Sequence, residues 1–86
     1  VTYQVKLSRK AEKFLVALRD KELQQRLVGA IRGLEATPRS AGCVKLTGST
    51  DLFRLRVGDY RIVYQIQDNV LVVLVIEIGH RREIYR

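Results

Sequence analysis

Between Leu52 and Gln67 apolar and polar side chains take turns almost without a break, and only a pair of half-buried strands accommodates that period. Phe53, Leu55 and Val57 alternate with Arg54 and Arg56. Tyr60, Ile62, Tyr64 and Ile66 alternate with Arg61, Val63, Gln65 and Gln67, and Gly58-Asp59 between the two runs supplies a turn. Side chains on a strand point to opposite faces in succession, so a register that buries the first set sends Arg54, Arg56 and Arg61 to the other face together. A slip of one residue would turn the whole apolar set to water. The hairpin and its arginine face are therefore the firmest features of the chain.

The flanking sequence supplies the rest of a layer around that hairpin. Val1, Tyr3, Val5 and Leu7 alternate with Thr2, Gln4 and Lys6 as a first strand that ends at Ser8. Ser8 can cap a helix over 9–19, where Ala11, Phe14, Leu15 and Leu18 fall at helical spacing. Asp20 can cap a second helix with Leu23, Leu27, Ala30, Ile31 and Leu34 on one face, and Gly29 and Gly33 are expected to let it pack closely. Thr37-Pro38 should stop it, because proline lacks the N–H and disfavours helical geometry in the residue before it. Residues 37–51 read as a long connection. Asp68-Asn69 reads as a second turn, and the run from Val70 to Ile78, apolar on both faces, as a central strand closed by Gly79. The expected fold is α+β in the order β-α-α-β-β-β, a mainly antiparallel sheet with a helical hairpin on one face. With no linker or repeat, residues 1–86 are expected to form one domain.

Charge narrows the partner. Sixteen Lys and Arg against nine Asp and Glu leave a formal charge of +7 on 86 residues, which attracts polyanions and points to nucleic acid. The single cysteine, Cys43, cannot form an internal disulfide, no signal-peptide pattern opens the chain, and the apolar run from Val70 to Ile76 is far short of the roughly 20 residues that cross a bilayer. A reducing, cytoplasmic setting away from membranes is expected. One histidine and one cysteine cannot close a zinc site, and no glycine-rich nucleotide loop precedes a helix, so no metal or cofactor is expected. Cys43 reads as a small apolar filler.

Arginine offers planar paired donors that match phosphate oxygens and keeps its charge at any working pH, so Arg54, Arg56 and Arg61 suit an RNA backbone or a phosphorane transition state. The same alternation fits a solvated face whose arginines pair with Asp51, Asp59 or Glu77. Near the C-terminus Arg81, Arg82 and Arg86 accompany His80 and Tyr85. His80 could move a proton at a ribose 2′-OH or a leaving 5′-oxygen, and Tyr85 could stack on a base or donate a proton. A surface histidine and a tyrosine packing the chain end are the plainer alternatives.

Three stretches resemble a known family: Lys45-Leu46-Thr47-Gly48, the run RVGDYRIVY at 56–64, and the run GHRREIY at 79–85. With the first strand, the helical hairpin and the Thr37-Pro38 stop, the chain is similar along its whole length to the RelE toxins of toxin–antitoxin pairs. That resemblance implies a ribosome-dependent endoribonuclease that cuts mRNA in the decoding site, with the 2′-OH as nucleophile. It also implies a protein antitoxin as partner, operator DNA reached only through that antitoxin, and no cofactor. By the same resemblance Arg61, Arg81, Tyr85 and His80 are the candidate catalytic residues. Arg54, Arg56, Lys45, Arg82, Lys10 and Lys13 are the candidate RNA-binding residues. Some relatives carry lysine where this chain has Arg54 and Arg56, and arginine cannot give up a proton, which leaves the general acid and base unassigned. ParE-type toxins, which inhibit DNA gyrase, share the fold and form the alternative, together with a basic RNA-binding module that has no catalysis.

Overall fold

The computed structural model describes residues 1–80, in the order β1 (Gln4–Leu7), α1 (Arg9–Ala17), α2 (Lys21–Gly33), β2 (Cys43–Lys45), β3 (Leu52–Val57), β4 (Tyr60–Gln67) and β5 (Val72–His80). The strands form one sheet in the order β1-β5-β4-β3-β2. β1 runs parallel to β5 and every other neighbouring pair is antiparallel. The helices pack on one face.

Both helix starts lie where capping residues place them. Ser8 Oγ accepts from Ala11 N at 3.1 Å and Asp20 Oδ1 from Leu23 N at 3.1 Å, each satisfying an amide that the first helical turn leaves over. The helix ends differ from expectation. α1 stops at Ala17 because Leu18 is already extended (φ −67°, ψ 126°), leading the chain into the cap at Asp20. α2 stops at Gly33, ahead of Thr37-Pro38, where Leu34 N and Glu35 N turn to the carbonyls three residues back. Close packing is not what Gly29 and Gly33 provide: a Cβ at either position would meet nothing within 4 Å.

Three further departures lie in the loops and the last strand. The connection after Pro38 contains β2, a strand too short to show periodicity, held by its pairing to β3. Instead of a simple turn, Asp68–Val70 form a short 3₁₀ turn, and Leu71 takes a left-handed conformation (φ 55°, ψ 48°) before β5 begins. Gly79 does not end β5. It lies opposite Arg61 inside the strand, which continues to His80 opposite Tyr60.

The core lies between helices and sheet: Ala11, Leu27, Ile62, Tyr64, Val73 and Val75 are each fully buried. Tyr64 keeps its hydroxyl satisfied by donating to the Pro38 carbonyl at 2.8 Å and stacks on Phe53 with ring centres 6.0 Å apart. Burial pushes the Tyr64 phenol well above its ordinary pKa, so it remains a donor.

One irregularity decides which way β5 faces. Pairing with β4 runs Ile62–Ile78 and Val63–Glu77, then Tyr64–Val75, so Ile76 is an extra residue. Ser8 fastens the bulge, its N–H donating to the Val75 carbonyl at 2.8 Å and its Oγ to the Ile76 carbonyl at 2.6 Å. The extra residue reverses the alternation. Val73, Val75 and Ile78 all reach the core, and Glu77 is turned to the opposite face.

Candidate nucleic-acid interface

The face away from the helices carries the arginines in two adjacent cross-strand rows. Arg56, Arg61 and Gly79 make one; Val44, Arg54, Val63 and Glu77 make the next. Directly opposed side chains on antiparallel strands stand about 4.5–5.5 Å apart at Cβ, and like charges there are destabilising. Arg56 against Arg61 is such a pair. Arg56 is the exposed member, steadied by its Nε donating to the Gly58 carbonyl at 3.0 Å.

Arg61 corrects the sequence reading. Expected on an exposed face, it is only 9 % exposed, on β4, the middle strand of the sheet. Arg54 is half-buried, and the Nε atoms of both lie out of solvent. A guanidinium held so far from water acts on an approaching anion through a lower effective dielectric than a surface charge does.

Lys10 joins this face from α1. Its Nζ reaches Glu77 Oε2 on β5 at 2.9 Å. That contact was not visible in the sequence, because only the bulge turns Glu77 outward and the run from Val72 to Ile76, apolar on both faces, gives no sign of its own facing. Lys13 is exposed on α1.

Two candidates stand apart. His80 pairs with Tyr60, its ring 5.4 Å from the tyrosine ring and nearly perpendicular, and Tyr60 in turn lies 6.0 Å from Phe14 of α1. His80 therefore occupies the helix side of the sheet, across from the arginines. Lys45 shares the Phe53 row and leans to the same side. Arg81, Arg82 and Tyr85 lie outside the described residues.

A separate polar cluster, unannounced by any motif, closes the other end of β4. Asp68 takes both Arg39 guanidinium nitrogens, at 3.1 and 2.7 Å, and the Tyr3 hydroxyl at 2.6 Å. The Arg39 bonds, then that of Tyr3, hold the Asp68 carboxyl down at a pKa of about 2. Arg39 also lies 5.6 Å over the Phe53 ring. Between β1 and the helices runs an apolar groove of about 200 Å³, lined by Val5, Leu7, Leu15, Val28 and Ile31 with Arg32 and Glu35 at its rim. Among the described residues no group of three or more His, Cys, Asp and Glu side chains could hold a metal, and no helix is long and apolar enough to cross a membrane.

Known proteins share this architecture. The family described as the ParE toxin of the type II toxin-antitoxin system parDE matches residues 5–85. The chain is similar to the archaeal RelE of the RelE–RelB complex from Pyrococcus horikoshii, with 29 % identity over 94 % of this chain and 97 % of that one, at a TM-score of 0.81. A mutant of the E. coli toxin RelE in the free state superposes equally well, with a TM-score of 0.81 and 26 % identity over 98 % of this chain and 88 % of that one. The RelBE2 toxin–antitoxin complex from Mycobacterium tuberculosis gives 0.77 at 27 % identity, covering 94 % and 100 %. No curated protein sequence matches.

Proposed function

The chain belongs to the ParE toxin family of type II toxin–antitoxin systems, within the RelE/ParE superfamily, and we propose that it acts as a RelE-type endoribonuclease that cuts mRNA on the ribosome. The observation that carries this reading is the pair of arginine rows, with Arg61 nearly buried opposite Arg56 and beside Arg54. Like charges in cross-strand register disfavour one another, and a bound polyanion would offset that cost. A phosphodiester passing through a more highly charged transition state rewards that arrangement, because fixed charges aimed at developing charge need no reorganisation.

Arg61 and Arg81 stabilise the phosphate while the 2′-oxygen attacks it, Arg54 and Arg56 hold neighbouring backbone, and Tyr85 orients a base. Lys10, Lys13 and the other basic residues of the helices anchor the protein to ribosomal RNA, a sequence-independent attraction that weakens with salt. The chemistry takes place in the cytoplasm, where ribosomes are. A cognate antitoxin silences the toxin. The groove beside β1 and the open edge of that strand suit an extended apolar segment of such a partner, and isolation from the native host should yield a stoichiometric small protein. Operator DNA is reached only through the antitoxin.

The test is the fate of message in a translating extract. Cuts inside codons, mapped by primer extension and dependent on ribosomes, support the reading. Intact message together with loss of supercoiling by gyrase supports the second reading, favoured by the ParE description of the matching family.

A further inference from the structure

Proton transfer is the part of this reaction that the arginine rows do not perform. Arg54, Arg56 and Arg61 stay protonated throughout, and His80 lies across the sheet beside Tyr60. On the arginine face itself, one carboxylate shares a row with an arginine among the described residues: Glu77, on β5, in line with Val63 and Arg54 and one row from Arg61 and Gly79.

Resting on the ribonuclease reading, we propose that Glu77 is the general base that takes the proton from the ribose 2′-OH. Three features of the fold support it. The bulge at Ile76, fastened by Ser8, exists in a strand that would otherwise point Glu77 into the core, so the carboxylate is on this face because the strand is broken there. Lys10 Nζ holds Glu77 Oε2 at 2.9 Å, and about a third of the Glu77 side chain remains accessible. Gly79, opposite Arg61 in the next row, puts no side chain of its own beside Glu77 and Arg61. Among the described residues the charged groups on the face of Glu77 include Lys10 from α1, Arg54 from β3, Arg61 from β4 and, farther along the sheet, Lys6 from β1. All of these are cations.

In the step so assigned, the O2′–H bond breaks with its proton passing to a Glu77 oxygen, and O2′ bonds to phosphorus as the P–O5′ bond breaks. The departing 5′-oxygen takes a proton from water. The products are a 2′,3′-cyclic phosphate and a 5′-hydroxyl end, and Glu77 later releases its proton to solvent.

The experiment measures single-turnover cleavage of ribosome-bound mRNA by the wild-type chain, Glu77→Gln, Glu77→Ala and Glu77→Asp, with ribosome affinity and melting temperature followed in parallel. Glu77→Gln and Glu77→Ala should cut ~10² or more slowly, the usual worth of a positioned general base, with ribosome affinity little changed. Glu77→Asp should keep part of the rate. Added formate should speed Glu77→Ala, relative to chloride at the same ionic strength, because a free carboxylate can enter the space and take the proton. A side chain that only steadied Lys10 would give no such rescue. Full-rate cleavage by Glu77→Gln, or a slow and folded Glu77→Ala that formate does not accelerate, overturns the assignment while leaving the ribonuclease reading intact. A wild-type chain that leaves message uncut overturns that reading, and the base with it.

Discussion

The two ends of β4 treat arginine in opposite ways. At the end next to Asp68, Arg39 lies half in water, shares both nitrogens with one carboxylate and covers the Phe53 ring. At the other end Arg61 is nearly withdrawn from water and stands opposite a second arginine. An arginine that serves the fold is matched with an acid and kept wet, where the pair contributes little and costs little. Arg61 is withdrawn from water in register with a second arginine, the arrangement on which the proposed phosphate contact rests. On the ribonuclease reading, Arg39 is a structural cation and Arg61 a functional one.

That contrast can be broken most sharply by removing each arginine in turn. Arg61→Ala should slow cleavage of ribosome-bound mRNA by ~10² or more while ribosome binding changes little, whereas Arg39→Ala should cut at the wild-type rate. Arg61→Lys should recover only part of the loss, because the ammonium keeps the charge without the paired donors. Equal rates for Arg61→Ala and Arg39→Ala would erase the distinction. A smaller effect is expected from the outer arginines: Arg54→Ala and Arg56→Ala should each flatten the dependence of log affinity on log salt by about 0.7 for single-stranded RNA, one phosphate contact apiece. Unchanged slopes would mean that these two contact no backbone.

Away from both ends, Gly29 faces open space on α2, so Gly29→Ala should raise stability by about 0.4–1 kcal/mol in denaturant unfolding, without touching activity. The least of the expected effects belongs to Asp68. Its folded pKa of about 2 lies below the ordinary carboxylate value, so its contribution is complete above roughly pH 4 and is lost as pH falls toward 2. Melting followed across that interval should show Asp68→Asn losing this part of the acid sensitivity. An identical acid response in both proteins would remove the Arg39 clasp as a source of stability.

Sequence alone determined the elements whose residues carry a period or a cap. Ser8 and Asp20 start the two helices as expected, and the alternation from Phe53 to Tyr64 fixed the hairpin and brought Arg54, Arg56 and Arg61 to one face. Local side-chain chemistry suffices for both, since a cap bonds within three residues and a strand's facing repeats every two. Tertiary structure decided what lacks such a local signal. β2 exists only through its bonds to β3, and Arg61 is buried on β4, the middle strand. The facing of β5 is the clearest case: with apolar residues on both sides, from Val72 to Ile76, nothing in the strand reports which side is inward. The bulge held by Ser8, sixty-eight positions away along the chain, sends Glu77 toward the arginines and His80 away from them.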